Sequence, residues 1–382
     1  MKKFIKRTEL ILINLFIFIL ILYLIEITIS IYSGNFLKKT RYQHLNDLRI
    51  KHDKNFFFNF FPYKLLQKEN LKILPLSGYP DSWTLLCLDD KKPIYYKSDE
   101  NGFNNNTGKN SEILLLGDSF VQGMCVENNK NVGAFLGEKN LKTSSLGVGG
   151  HGPLFSLAVL REYGEYYKHN KLIYFITPDN DFNDLTSEIQ NPILFKYLED
   201  PIFNQGLLMK RNTIKKILDN YFKKTLRKNR EFLRAYHLDL HNIRSFIKKV
   251  KRKEIEEEEV NYNIEDKINK IFFKILNEMN KSSFEKKRDF YVVINLINPE
   301  IFFSKNKVNI KLKKNLVNKI KITKKYLNDN KINFFDFNEY IFQKYNEENI
   351  SKISHYNNGR WDHYSEFGNK VMADKIFEHL IK

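Results

Sequence analysis

Cysteine, proline and tryptophan are scarce in this chain of 382 residues, which contains two, nine and two of them. Two cysteines cannot build a disulfide framework, and Cys87 and Cys125 lack the Cys-x-x-Cys spacing of zinc and dithiol sites. One bridge between them and two unpaired thiols are both compatible with the sequence. With 42% hydrophobic and 28% charged residues, the composition excludes a disordered chain and indicates a folded globular protein.

Acidic residues are also under-represented, with 45 Asp and Glu against 63 Lys and Arg, for a net charge of +18. Residues 201–253 hold 16 of the basic and 3 of the acidic residues, a net +13, so most of the surplus belongs to one segment. A solvated basic face explains most such segments, and contact with an anionic lipid or polysaccharide surface is the alternative. We expect no nucleic-acid partner, because no recognised nucleic-acid module accompanies the charge.

Only one long hydrophobic run occurs, from Leu10 to Tyr32, and it follows four basic residues. Its length suffices to cross a bilayer, it exceeds the apolar core of a secretory signal, and no Ala-x-Ala cleavage pattern follows. Residues 1–35 are therefore predicted to be a basic leader with an uncleaved, single-pass signal anchor. Lys38, Lys39 and Arg41 offset the N-terminal charge, so orientation rests on the basic leader, which favours an extracytoplasmic location for the bulk of the chain over a cytoplasmic one.

Beyond the anchor, residues 36–110 lack a long periodic pattern and are expected to form an irregular lead-in packed on the main domain, residues 111–382. In that domain the short apolar runs Ile113–Leu116, Leu172–Ile176 and Tyr291–Leu296 alternate with helical stretches. This pattern predicts an α/β fold in three α/β/α layers around a parallel sheet. A helical, basic insertion is expected at about residues 200–287.

The chemistry begins where the first apolar run ends, in Gly117-Asp118-Ser119-Phe120. A serine directly after a buried strand stands at the turn into a helix, where its hydroxyl is exposed and backbone N–H groups converge. A helix N-cap serine is the alternative interpretation. Ligands of open α/β sheets bind at the carboxyl ends of strands. Other polar groups predicted at that edge therefore favour a functional serine over an N-cap serine.

Three further groups map to the same edge of the sheet. A glycine-rich loop that includes Gly150 follows the first helix, Asn180 follows the run Leu172–Ile176, and His363 stands near the chain end. A serine hydroxyl, a glycine N–H, an asparagine amide and a histidine imidazole are therefore all predicted at one edge of the sheet.

These four blocks resemble the SGNH, or GDSL, hydrolase superfamily, whose name lists its Ser, Gly, Asn and His. The resemblance covers about residues 110–200 and 288–382, and Ser98–Phe103 looks like a lead-in segment of a membrane-associated branch. It implies a flavodoxin-like sandwich with Ser119 as nucleophile and His363 as general base. It also implies an oxyanion hole formed by Ser119, Gly150 and Asn180, with no metal or cofactor.

The sequence departs from the family at the acid that orients the histidine. That aspartate usually stands two or three residues before the histidine, where this chain has Trp361 and Arg360, whereas Asp362 is directly adjacent. Asp362 is the predicted third member, and a Ser-His dyad or a backbone carbonyl partner are the alternatives.

Other histidines have weaker claims to a function. His237 and His241 share a helical spacing but lack the glutamate of a His-Glu-x-x-His zinc motif, so no metal site is expected. His151 lies beside the glycine loop and is interpreted as a loop or core residue in preference to a base.

The sequence therefore predicts a membrane-anchored serine esterase that cleaves an acyl ester on a cell-surface glycan or lipid. An O-acyltransferase that modifies an envelope polysaccharide would use the same residues. A non-catalytic envelope scaffold that keeps the fold is the alternative from another class.

Overall fold

The computed structural model describes residues 2–32, 41–66, 71–89, 92–105, 107–228, 240, 243–244, 262–305, 307–357 and 360–381. The chain divides into two compact units, one of residues 1–54 and 218–261, the other of residues 55–217 and 262–382. All the strands described below and all the predicted site residues belong to the second unit.

The helices and strands alternate along most of the second unit. The helices are α1 (Lys2–Tyr32), α2 (Arg41–His52), α3 (Ser119–Gln122), α4 (Val132–Gly137), α5 (Pro153–Tyr163), α6 (Asp181–Glu188), α7 (Pro192–Glu199), α8 (Arg211–Lys228), α9 (Tyr262–Glu285), α10 (Pro299–Phe303), α11 (Lys307–Asp329), α12 (Phe337–Lys344) and α13 (Glu366–Ile376). The strands are β1 (Phe56–Phe58), β2 (Trp83–Asp89), β3 (Lys92–Lys97), β4 (Ile113–Leu116), β5 (Thr143–Ser145), β6 (Lys171–Ile176), β7 (Asp289–Ile294), β8 (Asn333–Asp336), β9 (Ser354–Asn357) and β10 (Arg360–Tyr364). Short 3-10 turns span Pro62–Leu65, Leu207–Met209 and Ile350–Lys352, and a π-helical turn spans Phe377–Ile381.

Five parallel strands form the central sheet in the order β5-β4-β6-β7-β8. This is the flavodoxin-like order, in which the connections leave the first strand in opposite directions. Strand β4 is apolar throughout and buried on both faces, as expected for the centre of a covered parallel sheet. The predicted α/β class with a parallel sheet is confirmed.

Helices cover both faces of this sheet. On one face, α4 and α13 contact each other and α12 contacts β7, and their side chains share a buried cluster with alternate residues of the strands, among them Ile113, Leu115, Ile173, Phe175 and Val293. On the other face α5 packs on β4, α6, α7 and α9, and α9 packs on β7. The three predicted layers are therefore present.

The sequence analysis does not predict the two edge strands of the central sheet, β5 and β8, and their composition explains why. The edge strands β5 and β8 are short and mostly polar or aromatic, so no apolar run announces them. A third strand, β7, is predicted at Tyr291–Leu296 and begins two residues earlier in the structure, at Asp289, and ends at Ile294.

The lead-in is more regular than its sequence pattern indicates. It contains a three-stranded sheet in which β2 pairs with β1 in parallel and with β3 antiparallel. Aromatic rings hold this sheet together, since Phe56 packs on Trp83 and Tyr95 with ring centroids 5.7 and 5.3 Å apart. Cross-strand aromatic pairs of this kind stabilise a sheet without the alternation that a sequence search detects.

The predicted insertion is shorter than residues 200–287. Helix α9 buries Ile268, Phe272 and Ile275 among the layer helices, so it is the crossover helix between β6 and β7. The basic helix α8 is present as predicted and buries Ile214, Leu218 and Phe222 along one side. Most of residues 229–261, including His237, His241 and the acidic run Glu254–Glu259, lies outside the described residues.

Helix α1 has the length and composition of a membrane span. Its apolar part, Glu9–Tyr32, has 24 residues and a peak mean hydropathy of 2.9. At 1.5 Å per residue this part is about 36 Å long, enough to cross the hydrocarbon core of a bilayer. Among the described residues it is the one helix of this kind, and it fits a single-pass anchor or a signal sequence.

Cys87 and Cys125 form a disulfide, with their Cα atoms 5.5 Å apart. The bond joins β2 of the lead-in to the segment that follows α3. The sequence leaves this pairing open, because 38 residues separate the two cysteines and only the fold brings them together.

Candidate active site

Ser119 is the first residue of α3, directly after the buried strand β4 and Gly117-Asp118. The Asp118 side chain caps the short helix, accepting a hydrogen bond from the Phe120 amide at 2.9 Å. A Cβ atom on Gly117 would lie 2.8 Å from Val121 and 3.1 Å from Phe175, so the strand-to-helix turn is tight enough to require glycine. Asp118 is the N-cap, which leaves the Ser119 hydroxyl available for another partner.

That partner is His363. The Ser119 Oγ and the His363 Nε2 lie 2.7 Å apart, although 244 residues separate them in the chain. This distance is a short hydrogen bond of the kind that joins a nucleophile to its general base. The structure therefore brings together the two residues that the sequence predicts for proton transfer.

His363 is held in place by the residue that follows it. The buried Tyr364 hydroxyl donates to the Asn295 side-chain oxygen at 3.0 Å and accepts from the Leu296 amide at 3.2 Å. These two bonds attach β10 to the segment after β7, at the carboxyl edge of the central sheet. The ring of Phe120 also lies against the imidazole, with centroids 5.0 Å apart.

The glycine-rich loop makes a hydrogen-bonded turn beside α3. The His151 amide donates to the Val148 carbonyl at 3.1 Å, and Gly150 stands at the third position of this turn with φ of +75°. A positive φ at this position is characteristic of a type II turn and favours glycine. The turn lies next to the nucleophile, because the Val148 amide donates to the Gly117 carbonyl at 3.4 Å.

Two backbone donors of this region, the amides of Ser119 and Gly150, have no backbone acceptor among the described residues. Backbone N–H groups inside a fold are paired in the great majority of cases. Unpaired N–H groups next to a nucleophile can bind the oxyanion of a tetrahedral intermediate.

Asn180 approaches the same place from β6. It stands at the N-cap position of α6 without a side-chain capping bond, and its side-chain amide donates to the Asp118 carboxyl group at 3.3 Å. This contact orients the carboxamide toward the residue that precedes Ser119. The structure therefore places the predicted Ser119, Gly150 and Asn180 on the adjacent ends of β4, the glycine loop and β6.

Acidic side chains lie behind the site, and their burial raises their pKa values. Desolvation raises the pKa of Asp118 and Asp181, and it raises the pKa of Asp179 to about 6, of Asp184 to about 7 and of Glu188 to about 8. Burial therefore disfavours the ionised form of each of these carboxyl groups.

His151 does not contact the nucleophile. Its ring is buried and stacked on Phe155 at 4.5 Å, and neither ring nitrogen hydrogen-bonds to a described residue. Burial lowers the pKa of His151 to about 3, so the imidazole is neutral at ordinary pH. The interpretation of His151 as a core residue agrees with this geometry.

The side chain of Asp362 lies outside the described residues, and its role stays a prediction. Asp118, Asn295 and Tyr364 are the site residues that sequence reasoning does not find. Asp118 carries a signal, since an aspartate before a strand-end serine is a helix cap. Tyr364 is conspicuous only as a neighbour of His363, and the contact between Asn295 and Tyr364 carries no signal, because it depends on how two distant segments meet.

Comparison with known proteins gives no sequence relative. No protein-family model matches the chain, and no curated protein matches it.

The solved structures that resemble this chain do so only at low identity and low TM-score. Two lipolytic proteins of the G-D-S-L family, one from Veillonella parvula and a putative one from Desulfitobacterium hafniense, are 11% identical with TM-scores of 0.36; each alignment covers 71% of this chain and 98% or 99% of theirs. A gut microbial diltiazem-metabolizing enzyme has the same identity and TM-score, with 72% of this chain and 48% of that one covered. These values are too low to assign the chain to a family or an activity.

Proposed function

We propose that this protein is a serine esterase of the SGNH type. The observation that carries the proposal is the 2.7 Å contact between Ser119 Oγ and His363 Nε2 at the carboxyl edge of a parallel sheet. Nothing in a helix-capping role for Ser119 requires a histidine at this distance, and Asp118 already caps α3.

The proposed reaction begins when Ser119 Oγ attacks the carbonyl carbon of an ester and its proton moves to His363 Nε2. The carbonyl π electrons move to oxygen, and the resulting oxyanion is held by the amides of Ser119 and Gly150 and by the Asn180 carboxamide. The intermediate collapses when the bond to the alcohol oxygen breaks and His363 returns its proton to that oxygen. Water then attacks the acyl-serine while His363 accepts its proton. The bond between the acyl carbon and Ser119 Oγ breaks, His363 returns the proton to Oγ, and the acid and free Ser119 are released.

Asp362 is proposed to orient the imidazole. Asp362 and His363 are adjacent in β10, whose pairing with β9 is irregular between Trp361 and Tyr364, so the alternation of a regular strand does not apply to them. A carboxylate that accepts from the other ring nitrogen stabilises the imidazolium formed during attack. A dyad without this carboxylate, or with a backbone carbonyl in its place, is the alternative that an Asp362→Asn variant would distinguish.

We propose an acyl ester on a cell-surface glycan or lipid as the substrate class. The support is the membrane-spanning length of α1, which would hold the site near such molecules. Acyl transfer to a sugar hydroxyl would use the same groups, and no contact among the described residues favours it, so water is the proposed acceptor.

An extracytoplasmic site is proposed as well. The disulfide between Cys87 and Cys125 supports it, since disulfides persist in oxidising compartments and are rare in the cytosol. The basic leader Lys2 to Arg7 supports the same orientation. Contact of the basic helix α8 with anionic lipid remains a separate proposal.

The test is hydrolysis of p-nitrophenyl acetate by the full chain in detergent. We expect Ser119→Ala to lower kcat at least about 10³-fold, because the nucleophile is lost. Ser111→Ala is the matched control, since Ser111 precedes the same strand at its other end. Equal activity in all three proteins would reject the esterase and favour a scaffold.

A further inference from the structure

A buried pair of carboxamides connects the lead-in to the start of the catalytic domain. Gln122 Nε2 donates to Asn59 Oδ1 at 3.0 Å, and Asn59 Nδ2 donates to Gln122 Oε1 at 3.3 Å. Only 2% of Gln122 and 5% of Asn59 is exposed. The Tyr96 hydroxyl accepts a third bond from Gln122 Nε2 at 3.3 Å.

The same glutamine oxygen binds the glycine loop. Gln122 Oε1 accepts a hydrogen bond from the Gly149 amide at 3.0 Å. Gly149 is the residue before Gly150 in the turn that presents the Gly150 amide. The contact therefore fixes the orientation of the backbone immediately before that amide.

The Gly149 N–H determines which end of the Gln122 amide faces the loop, because an NH2 group there would meet another donor in a buried site. Asn59 and the Tyr96 hydroxyl can pair with either end of that amide. Their three hydrogen bonds therefore hold the Gln122 side chain in place, at the position from which its oxygen binds Gly149.

We propose that Gln122 is a positioning residue of the oxyanion hole and that Asn59 fixes it for this purpose. This inference rests on the proposed function. It makes the lead-in a part of the active site, although the predicted reacting groups all belong to residues 111–382. The inference also accounts for a polar cluster in a place where apolar packing would stabilise the fold equally well.

The effect of Gln122 is to hold a donor in place before the reaction starts. A misplaced oxyanion donor stabilises the transition state less, while the ground-state ester, which needs no oxyanion contact, binds as before. Loss of one donor costs about 10²- to 10³-fold in rate, and displacement of a donor costs part of this. We therefore expect Gln122→Leu to lower kcat roughly 10- to 100-fold and to change KM less than about 3-fold.

The experiment measures p-nitrophenyl acetate turnover and phenylboronic acid affinity for the full chain in detergent. The boronate forms a tetrahedral adduct with a reactive serine, so its binding reports the oxyanion hole. In Gln122→Leu the affinity for the boronate should fall in parallel with kcat. A role in stability alone would lower the Tm and leave both quantities unchanged in the folded protein.

Gln205 offers a matched control. Its buried side chain makes a comparable set of bonds, accepting from the Leu74 amide at 2.9 Å and donating to the Leu74 carbonyl at 3.2 Å and the Tyr197 hydroxyl at 2.9 Å. None of these partners belongs to the glycine loop. Gln205→Leu should therefore lower the Tm as Gln122→Leu does, with kcat and boronate affinity unchanged.

Asn59→Leu provides a second variant should Gln122→Leu fail to fold. It keeps the Gly149 contact and removes a group that holds the Gln122 side chain in position, so kcat should fall less, about 3- to 10-fold, again with little change in KM. Unchanged kcat and boronate affinity in the folded Gln122 or Asn59 variant would overturn the positioning role alone, because the wild type would still show turnover that depends on Ser119. Absence of such turnover in the wild type would overturn the proposed function and this inference together.

Discussion

At Gly150 both the backbone conformation and the packing disfavour a side chain. Its φ of +75° disfavours any other residue, and a Cβ atom there would lie 2.4 Å from the Tyr63 ring. Tyr63 itself is 44% exposed, so its ring is packed against the turn at the protein surface. A side chain at position 150 would have to move the ring or the turn.

We predict that Gly150→Ala lowers kcat for p-nitrophenyl acetate about 10²-fold, since the shifted turn misplaces its amide. The matched control is Gly108→Ala, because Gly108 has φ of +70° and open space where the Cβ would stand. Both variants should lose about 1–2 kcal/mol of stability from the left-handed conformation. Equal kcat values in the two variants would contradict the role of the Gly150 turn.

The sequence predicts which residues form the candidate site and that they lie at the carboxyl edge of the central sheet. Ser119 and His363 are found from the block pattern and lie in contact in the structure. The Tyr364 hydroxyl bonds to Asn295 and Leu296 could not be predicted, because the distance between β10 and β7 depends on the whole core between them.

A buried glutamate of another helix caps the N-terminus of α5. Glu188 of α6 accepts hydrogen bonds from the amides of Gly152 and Leu154, at 2.7 and 2.9 Å. Burial outweighs these bonds and raises the pKa of Glu188 to about 8, against 4.5 in a solvated chain. Because the folded state favours the neutral acid, this stabilisation is complete below about pH 4.5 and is lost as the pH rises to about 8.

We predict that Glu188→Gln reduces the loss of stability between pH 5 and pH 8, since glutamine does not ionise. The wild type should lose roughly 3–4 kcal/mol more than the variant over this interval, measured by chemical unfolding in detergent. Glu165→Gln is the control. Its ion pairs with Arg288 and Lys286 lower the pKa of Glu165 to about 2, so its contribution is lost only below about pH 4.5. If the wild type were as stable at pH 8 as at pH 5, this result would contradict the raised pKa of Glu188.

The elements that sequence reasoning finds are those with a strong local pattern. Strand β4 is an apolar run, and α8 has apolar residues at helical spacing. Strands β1 to β3 depend on aromatic contacts between distant segments, and α9 shows a helical pattern without showing which sheet it covers. Tertiary contact decides these cases, and local sequence does not record it.

Within the second unit, the disulfide and the Asn59 and Gln122 pair connect the lead-in to residues 111–382. Cys87 lies in β2, and Cys125 lies three residues after Gln122. The covalent bond therefore anchors the segment that carries Gln122 to the sheet that positions it. Neither connection involves the basic segment 201–253, which holds most of the net charge.

We predict that iodoacetamide modifies neither cysteine in the folded, unreduced chain and modifies both after reduction, as mass spectrometry would measure. Loss of the bond in a Cys87→Ala/Cys125→Ala variant should lower the free energy of unfolding by about 2–4 kcal/mol. Modification of both thiols in the folded protein before reduction would contradict the bond and remove its support for an oxidising compartment.

Ser119 is proposed to act as a nucleophile that His363 activates. The most direct measurement is peptide mapping of the full chain after reaction with a fluorophosphonate probe, which phosphonylates an activated serine. One adduct per chain is expected, on the peptide that contains Ser119, with none in Ser119→Ala and at least about 10³-fold slower labelling in His363→Ala. An adduct on another residue, or labelling that persists in Ser119→Ala, would contradict the claim.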